Sequence, residues 1–433
     1  MHHGHIRLLE RAKALGDYLI VGITASGFDQ ARGKINVQQT LMERIEAVKA
    51  TGLADEIIVE EYEGQKIDDI RRLGVDIFTV GSDWKGYFDY LREYCQVVYL
   101  DRTPGVSSSE LRAEMRELRV GLVGVSSVLN KFISESHFVN GIVVTGVCAE
   151  SDRDFSEEIK NLPMVTERIE ELFNVCDAVY IASHPSKHYE QVKAALLAGK
   201  HVICESPIAI SVSDYQELRR IASERKLQLM DSLKTAYSTA YNRMMLLVKS
   251  GVIGDVKSVD VTCTSLSDLE RSDGKPSCFT WNSICAWGPT ALLPIFHLLG
   301  TDCSSKQMIS HLIAKDFDSF TKVAFVYPHA VASLKVGKGV KSEGDLIISG
   351  TKGYVYVPAP WWKTEYFELR YENPANNKRF FYQLDGEGIR YEIVTFLKAI
   401  QNGQNLSYID DRISQAMVAI VESFYNKEDY LEI

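Results

Sequence analysis

Two consecutive series of short apolar strands and amphipathic helices occupy the first half of the chain. Strands of the first series are predicted at DYLIVGIT, ADEIIVEEY, VDIFTVGSD and QVVYL, and a helix is predicted before each of them, the last at KGYFDYLREY. The second series runs through LRVGLVG, GIVVTGVCAE, DAVYIASHPS and KHVICESPIA. Strict alternation of strands and helices predicts two doubly wound parallel sheets, in which ligands bind at the carboxyl ends of the strands.

The pattern changes near residue 250, where alternating β-branched and aromatic runs such as VKSVDVTCTSL and YFELRYE predict a mostly antiparallel open sheet. The final helices, at IRYEIVTFLKAIQNG and DRISQAMVAIVESFY, are expected to return to the parallel-sheet part. The sequence therefore predicts an α/β chain of three domains. Residues 1–116 and 117–236 each form a doubly wound parallel-sheet domain, and residues 237–433 form an α+β domain.

Composition excludes several classes of partner. The formal net charge is −10, and a protein that binds nucleic acid needs a basic face. No apolar stretch approaches the length of a membrane span. The eight cysteines are scattered without a C-x-x-C pair, which is typical of reduced thiols in a cytoplasm and predicts no metal site. We therefore expect a cytoplasmic protein that binds neither nucleic acid nor membrane.

Three polar segments at predicted strand and helix ends form the first candidate site. The segment at the amino terminus lies where a helix begins, and the free amides and dipole of a helix start attract anions. A glycine there lets the backbone approach a phosphate, and imidazoles can donate to its oxygens. Together the segments predict a clamp for a nucleotide's phosphates. Its residues are His2, Gly4, His5, Gly81, Asp83, Trp84, Arg102, Thr103, Ser107 and Ser108.

The segments HHGH, GSDW and RTPGVSSS resemble the motifs of glycerol-3-phosphate cytidylyltransferases, which are nucleotidyltransferases of the H-x-G-H type, over residues 1 to about 116. The resemblance implies in-line attack of a small polyol phosphate on the α-phosphorus of CTP, with Mg²⁺. It implies that the catalytic residues are His2, His5, Arg102, Ser107 and Ser108, and that Asp83 and Trp84 shape the cytidine pocket. It also implies, less securely, that Lys34 receives the acceptor phosphate.

Each of these residues also has an ordinary structural explanation. Histidines after Met1 are typical of a tag remnant, Asp83 and Trp84 of a turn with a core aromatic, and the serines of a helix cap. In the family, a central strand precedes the H-x-G-H motif, and the sequence begins without it. We therefore expect an incomplete phosphate site and low activity in the chain as written, and a start codon assigned too late or a truncated chain.

Residues 118 to 433 resemble the Gfo/Idh/MocA family of NAD(P)-dependent dehydrogenases through LRVGLVG, DAVYIASHPSKHYEQVKAALLAGKHVICESPIA and GTKGYVYVPAPWW. The resemblance implies a Rossmann domain that binds NAD, with Glu150 accepting the ribose hydroxyls, although a solvated strand end explains Glu150 equally well. His184 either touches the cofactor or caps a helix. The implied cofactor-binding residues are Gly121, Gly124, Ser126, Glu150, Ser183, His184, Glu205 and Pro207.

Departures from that family argue against hydride transfer. Ser126 places a side chain where pyrophosphate needs bare backbone, and Leu129 replaces a small residue of helix packing. The E-K-P motif has Ser206 in place of its lysine. The D-x-G-x-H-x-x-D stretch lacks its histidine and both aspartates, so no acid–base group remains there. Its positions fall on Ala286, Gly288, Thr290 and Leu293.

We interpret the chain as a CTP:polyol-phosphate cytidylyltransferase fused to a catalytically degenerate dehydrogenase-fold module. That module is expected to form a homo-oligomer through its open sheet, or to act as a sensor or substrate-binding platform. CDP-polyols feed capsule and teichoic-type polymers, so the expected context is bacterial surface polysaccharide synthesis. One alternative is a bifunctional protein whose second part is an NAD-dependent oxidoreductase acting on a sugar or polyol precursor. Another is a non-catalytic nucleotide-binding regulator.

Overall fold

The structure, a computed structural model, describes residues 3–24, 41–60, 65–101, 117–151, 155–266, 281–382 and 384–433 of the 433-residue chain. The chain divides into two compact units, Met1–Arg116 and Glu117–Ile433. Within the described ranges, no helix combines the length and apolar character that crossing a membrane requires.

The first unit is built from parallel strand pairs with helices between them. In the described part, β1 pairs with β2 and β3 pairs with β4, which gives two two-stranded parallel sheets. The elements are α1 (His3–Lys13), β1 (Ile20–Thr24), α2 (Leu41–Lys49), β2 (Glu56–Glu60), α3 (Gln65–Leu73), β3 (Ile77–Gly81) and β4 (Gln96–Leu100).

Helix α1 contacts chain segments that belong to both strand pairs. Arg11 donates to the carbonyl oxygen of Asp101, directly after β4, at 2.6 Å. Lys13 forms an ion pair with Asp55, directly before β2. The N–H of Leu19 also donates to Asp55 at 2.6 Å, and this hydrogen bond together with Lys13 lowers the pKa of the Asp55 carboxyl. The position of α1 is therefore fixed by polar contacts on either side.

The predicted helix at KGYFDYLREY is wrong. The segment forms turns and a short 3₁₀ helix, Asp89–Glu93. Phe88 inserts into an apolar cluster with Ile70, Leu91 and Val97, and its N–H donates to the hydroxyl of Tyr99 at 3.2 Å. Aromatic residues have modest helix propensity, so these tertiary contacts decide the local backbone.

The second unit begins with a six-stranded parallel sheet in the order β10-β9-β8-β5-β6-β7. Its strands are nearly continuous apolar runs, as expected when both faces of a sheet are covered. The strands are β5 (Leu118–Val123), β6 (Ile142–Cys148), β7 (Met164–Thr166), β8 (Ala178–Ile181), β9 (His201–Glu205) and β10 (Leu229–Ser232). The helices are α4 (Val128–Ser136), α5 (Glu157–Lys160), α6 (Ile169–Phe173), α7 (Pro185–Leu197) and α8 (Val212–Glu224).

A nine-stranded sheet follows, in the order β18-β17-β16-β15-β11-β14-β13-β12-β19. Among the described strands of this sheet, β11–β14 and β12–β19 are the parallel pairs and the others are antiparallel, so the predicted mostly antiparallel character is confirmed. Its strands are β11 (Val256–Thr264), β12 (Ser305–Ala314), β13 (Phe317–Val326), β14 (Val331–Gly337), β15 (Leu346–Gly350), β16 (Tyr354–Val357), β17 (Tyr366–Arg370), β18 (Lys378–Phe381) and β19 (Tyr430–Glu432).

The described part of the second unit has four further helices: α9 (Thr239–Lys249), α10 (Ser283–Leu299), α11 (Ile389–Asn402) and α12 (Asp411–Asn426). Helix α11 packs on α4, and α12 packs on α8 and α10. The expected return of the final helices to the parallel-sheet part is therefore confirmed.

The start of α10 is held by a buried carboxyl group. Asp318, which is completely buried, accepts hydrogen bonds from the N–H of Ile284 at 3.1 Å and from the hydroxyl of Thr321 at 2.7 Å. Burial raises the pKa of Asp318 from 3.8 to about 6, although the hydrogen bonds oppose this shift. The folded state therefore favours the protonated carboxyl.

We expect Asp318→Asn to gain stability relative to the wild type as pH rises from about 4 to about 6. The stability that Asp318 contributes is fully present below its unfolded pKa and is lost as pH rises through the folded pKa, because the buried carboxylate is penalised. The difference in free energy of unfolding should change by about 1–3 kcal/mol across this range, measured by urea unfolding at three pH values.

Asp318→Ala serves as the matched variant because it removes the acceptor as well as the charge. It should be destabilised by about 1–3 kcal/mol at low pH, since the N–H of Ile284 and the hydroxyl of Thr321 lose their partner. If the difference in free energy of unfolding between Asp318→Asn and wild type stayed constant with pH, the carboxyl of Asp318 would have the same pKa in the folded and unfolded states.

Candidate functional site

The candidate site of the first unit starts at the amino end of α1. The helix begins at His3, so Gly4 and His5 lie in its first turn, where backbone N–H groups have no partner within the helix. No acidic side chain is present in this turn to neutralise the positive end of the dipole. The side chain of His5 is exposed. This helix start can therefore attract an anion.

The carboxyl end of β3 supplies the second part. Gly81 is the last residue of the strand, and Ser82–Trp84 form a 3₁₀ turn directly after it. A Cβ atom at Gly81 would meet no heavy atom within 4 Å, so its backbone borders open space. The ring of Trp84 lies 5.3 Å from that of Tyr87 and 5.9 Å from that of Phe88. Aromatic packing therefore holds Trp84 in place.

The third predicted part, RTPGVSSS, follows Asp101, whose carbonyl oxygen accepts a hydrogen bond from Arg11 on α1. Asp101 is the last described residue before this segment. The residues that lie outside the described part are His2, Lys34, Arg102, Thr103, Ser107 and Ser108, together with the side chain of Asp83. Their roles stay predictions.

In the second unit, a cavity of about 400 Å³ lies at the carboxyl ends of β5, β6 and β8. Four of the predicted cofactor residues line it: Gly124, Glu150, Ser183 and His184. The other four, Gly121, Ser126, Glu205 and Pro207, are not part of its described lining. Sequence reasoning missed Arg168, Lys187 and Gln191, which also line the cavity.

Gly121 and Gly124, the two glycines among the implied cofactor-binding residues, are explained by packing within the protein. Gly124 has φ +117°, and a Cβ atom there would lie 2.6 Å from the backbone nitrogen of Ser183. A Cβ atom at Gly121 would lie 2.8 Å from the side chain of Leu172. Leu129 is fully buried at the predicted helix-packing position. The turn after β5 is therefore shaped by its neighbours, whether or not a dinucleotide binds.

Glu150 lies just after β6, and its carboxylate is paired with Lys187 at 2.5 Å. Both side chains are exposed, and such pairs contribute at most about 1 kcal/mol, so a ribose can compete for the carboxylate. His184 caps α7, because its Nδ1 accepts the N–H of Ser186 at 3.3 Å. Burial, followed by the charges of Lys187 and Lys338, lowers the pKa of His184. Ser183 donates to Gln191.

The Glu205-Ser206-Pro207 segment is engaged in structural contacts. Glu205 accepts hydrogen bonds from the hydroxyls of Tyr180 at 2.5 Å and Ser232 at 2.8 Å, and burial raises its pKa. Ser206 instead donates to buried Asp231 at 2.7 Å. The position that carries the family's lysine is thus occupied by a buried hydroxyl.

Two buried histidines of the second unit, His188 and His297, also have structural contacts. The ring of His188, fully buried, lies between the carbonyl oxygens of Pro207 at 2.7 Å and Ser183 at 3.0 Å, and burial lowers its pKa to about 4. His297 on α10 contacts the hydroxyl of Tyr241 at 2.8 Å, and burial lowers its pKa to about 4 as well. The degenerate motif positions lie within α10: Ala286, Gly288, Thr290 and Leu293.

The parallel strand pairs and the helices around them define the first unit as an α/β domain. A family model described as cytidylyltransferase-like matches residues 1–114. A glycerol-3-phosphate cytidylyltransferase from Bacillus spizizenii is 44% identical over 117 residues, which are 27% of this chain and 90% of the relative. The corresponding Staphylococcus aureus enzyme is 39% identical over 115 residues, 27% of this chain and 86% of the relative. The N-terminal part of the chain belongs to the cytidylyltransferase family.

A model of the Gfo/Idh/MocA oxidoreductase family, NAD-binding Rossmann fold, matches residues 118–232. A dTDP-3,4-didehydro-2,6-dideoxy-α-D-glucose 3-reductase from Streptomyces violaceoruber is 29% identical over 160 residues, 35% of this chain and 45% of the relative. The chain thus spans less than half the length of that relative. A solved 3-ketoreductase from Actinomadura kijaniata with NADP and TDP-benzene has a TM-score of 0.64, 16% identity, and coverage of 73% of this chain and 99% of that chain. Both predicted family resemblances are confirmed.

Proposed function

We propose that the N-terminal unit transfers CMP from CTP to a polyol phosphate, giving a CDP-polyol and pyrophosphate. The observation that carries this proposal is the start of α1 at His3, which presents a positive helix end within a segment similar to glycerol-3-phosphate cytidylyltransferases. The name of those relatives favours a glycerol-phosphate-like acceptor.

The proposed chemistry needs positioning and charge stabilisation, with no covalent enzyme intermediate. Gly4 lets the backbone approach a phosphate, and His5 and His2 donate to oxygens around the reacting phosphorus. We assign Arg102, Thr103, Ser107 and Ser108 to the remaining phosphate oxygens, Gly81, Asp83 and Trp84 to the cytidine, and Lys34 to the acceptor phosphate.

Magnesium fits this proposal as a companion of the nucleotide. Among the residues that the structure describes, no group of three or more histidine, cysteine or acidic side chains could hold a metal ion. Mg²⁺ commonly uses substrate phosphates and water as ligands in place of a protein cage. The ion would neutralise phosphate charge, and the protein would contribute the helix start and the donors around it.

Incubation of the protein with CTP, Mg²⁺ and a panel of polyol phosphates tests the proposal. We expect pyrophosphate release that requires both CTP and one of the polyol phosphates, with ATP and GTP as controls. Absence of release with every acceptor would contradict it.

We further propose that the second unit does not transfer hydride. Its role would be to form a homo-oligomer or to bind a ligand. Ser206 donates to Asp231, and the motif positions on α10 carry no acid–base group that could exchange a proton with a substrate hydroxyl. The bifunctional alternative is favoured by the cavity of about 400 Å³ that contains Glu150. Saturable binding of NADH, detected by its fluorescence, together with reduction of a keto-sugar would support that alternative.

A further inference from the structure

Three lysines converge on one carboxylate in the second unit. The Glu387 carboxylate accepts hydrogen bonds from Lys131 at 2.8 Å, Lys234 at 2.5 Å and Lys363 at 2.6 Å. We call these four residues the lysine cluster. Lys131 lies on α4, Lys234 begins a 3₁₀ turn after β10, and Lys363 ends the 3₁₀ turn Trp361–Lys363 of the sheet part. Residues far apart in sequence thus meet at one point.

The lysine cluster has an excess of positive charge, since three ammonium groups face one carboxylate. Burial alone would raise the pKa of Glu387, but the hydrogen bonds from the lysines hold it below its ordinary range, so Glu387 is ionised. Nearby Glu135 is already paired with Arg390 at 2.9 Å. Glu205 and Glu392 are buried, which raises the pKa of each and disfavours their charged forms. Glu387 is therefore the carboxylate that all three ammonium groups contact.

The backbone around Glu387 directs its side chain into the cluster. Glu387 has φ +55°, which is costly for a residue with a Cβ atom, and both flanking glycines also have positive φ. A Cβ atom at Gly386 would lie 1.9 Å from the Glu135 carboxylate, and one at Gly388 would lie 2.8 Å from the carbonyl oxygen of Lys234. Glycine is therefore required on both sides of Glu387, whose side chain is 31% exposed and within reach of solvent.

We propose that the lysine cluster binds the phosphate group of a phosphomonoester, and that Glu387 occupies this site as an internal anion when no ligand is present. A phosphate dianion would balance the three ammonium groups better than one carboxylate does. Its several acceptor oxygens match donors that approach from three directions, and lysine is a common phosphate ligand. This site is independent of the activity proposed for the N-terminal unit, although a polyol phosphate belongs to the class it would bind.

Calorimetric titration of the full chain tests the proposal with inorganic phosphate, glycerol 3-phosphate and glycerol as probes. Glu387→Gln removes the competing charge with little change of shape, so we expect both phosphates to bind about tenfold more tightly than to wild type. Adding Lys363→Met to that variant should weaken phosphate binding by about tenfold and so return the affinity to the wild-type level. Adding Lys378→Met, a change at an exposed lysine on β18, should leave it intact.

Phosphate binding to the N-terminal unit would be the same in all these variants, so their differences report on the lysine cluster alone. Equal affinities of wild type and Glu387→Gln, with an unchanged melting temperature as proof of folding, would overturn the proposal and leave the cluster a structural ion network. Equal responses to glycerol and glycerol 3-phosphate would overturn it too. Preference for glycerol 3-phosphate over inorganic phosphate would support an organic ligand, and the reverse would support free phosphate.

Discussion

Replacing His5 with alanine lowers the rate of pyrophosphate release from CTP by about 10²–10³-fold, the loss typical of removing one donor to a developing charge. His5 lies in the first turn of α1, where the positive end of the helix dipole already favours an anion. Alanine has the highest helix propensity, so the helix itself should persist and the loss should fall on kcat. Steady-state kinetics with CTP and the best polyol phosphate measure it.

His137→Ala is the matched control for His5→Ala. His137 is also an exposed histidine, but it lies in the second unit and contacts Glu158 on α5. Its replacement should leave CTP turnover within about twofold of wild type. If both variants retained full activity, the phosphate site would have to lie away from the start of α1.

Substituting alanine for Gly124 destabilises the second unit by about 2–5 kcal/mol, because two costs combine. The residue has φ +117°, and the new Cβ atom would stand 2.6 Å from the backbone of Ser183, which cannot move as a flexible side chain would. Urea unfolding followed by circular dichroism measures the change in free energy of unfolding.

Gly199→Ala separates the two costs. Gly199 also has positive φ, +75°, but a Cβ atom there would meet nothing within 4 Å. Only the backbone penalty applies, so we expect a loss of about 1–2 kcal/mol. If Gly124→Ala and Gly199→Ala lost the same free energy of unfolding, the turn after β5 would have relaxed to accept the Cβ atom. The close approach to Ser183 would then not explain why residue 124 is glycine.

The elements that could be predicted from sequence are those governed by local pattern. Apolar runs gave the strands of the six-stranded sheet, and the alternation after residue 250 gave the mostly antiparallel sheet. The conformation of the KGYFDYLREY segment could not be predicted this way. Phe88 packs in an apolar cluster and its N–H donates to the hydroxyl of Tyr99, and these contacts favour turns and a 3₁₀ helix in place of an α-helix. Local propensity was overridden there by tertiary packing.

The same distinction holds for the candidate sites. Glu150 and His184 could be placed at strand ends from the sequence, and both line the cavity. Lys187 was missed because its pairing with Glu150 depends on how α7 is rotated against β6. No short sequence motif predicts the lysine cluster, because Lys131 and Lys363 are more than 200 residues apart and are brought together by the fold.

The two returning helices and the last strand have a consequence for how the second unit can be divided. The chain leaves the six-stranded sheet for the nine-stranded one, comes back as α11 and α12 to cover α4 and α8, and ends as β19 at the edge beyond β12. A cut after residue 236 would strip apolar residues such as Ile393, Phe396 and Val418 of their cover. The parallel-sheet part and the returning helices therefore share one apolar core, and we expect gene fusion or recombination to exchange this unit only as a whole.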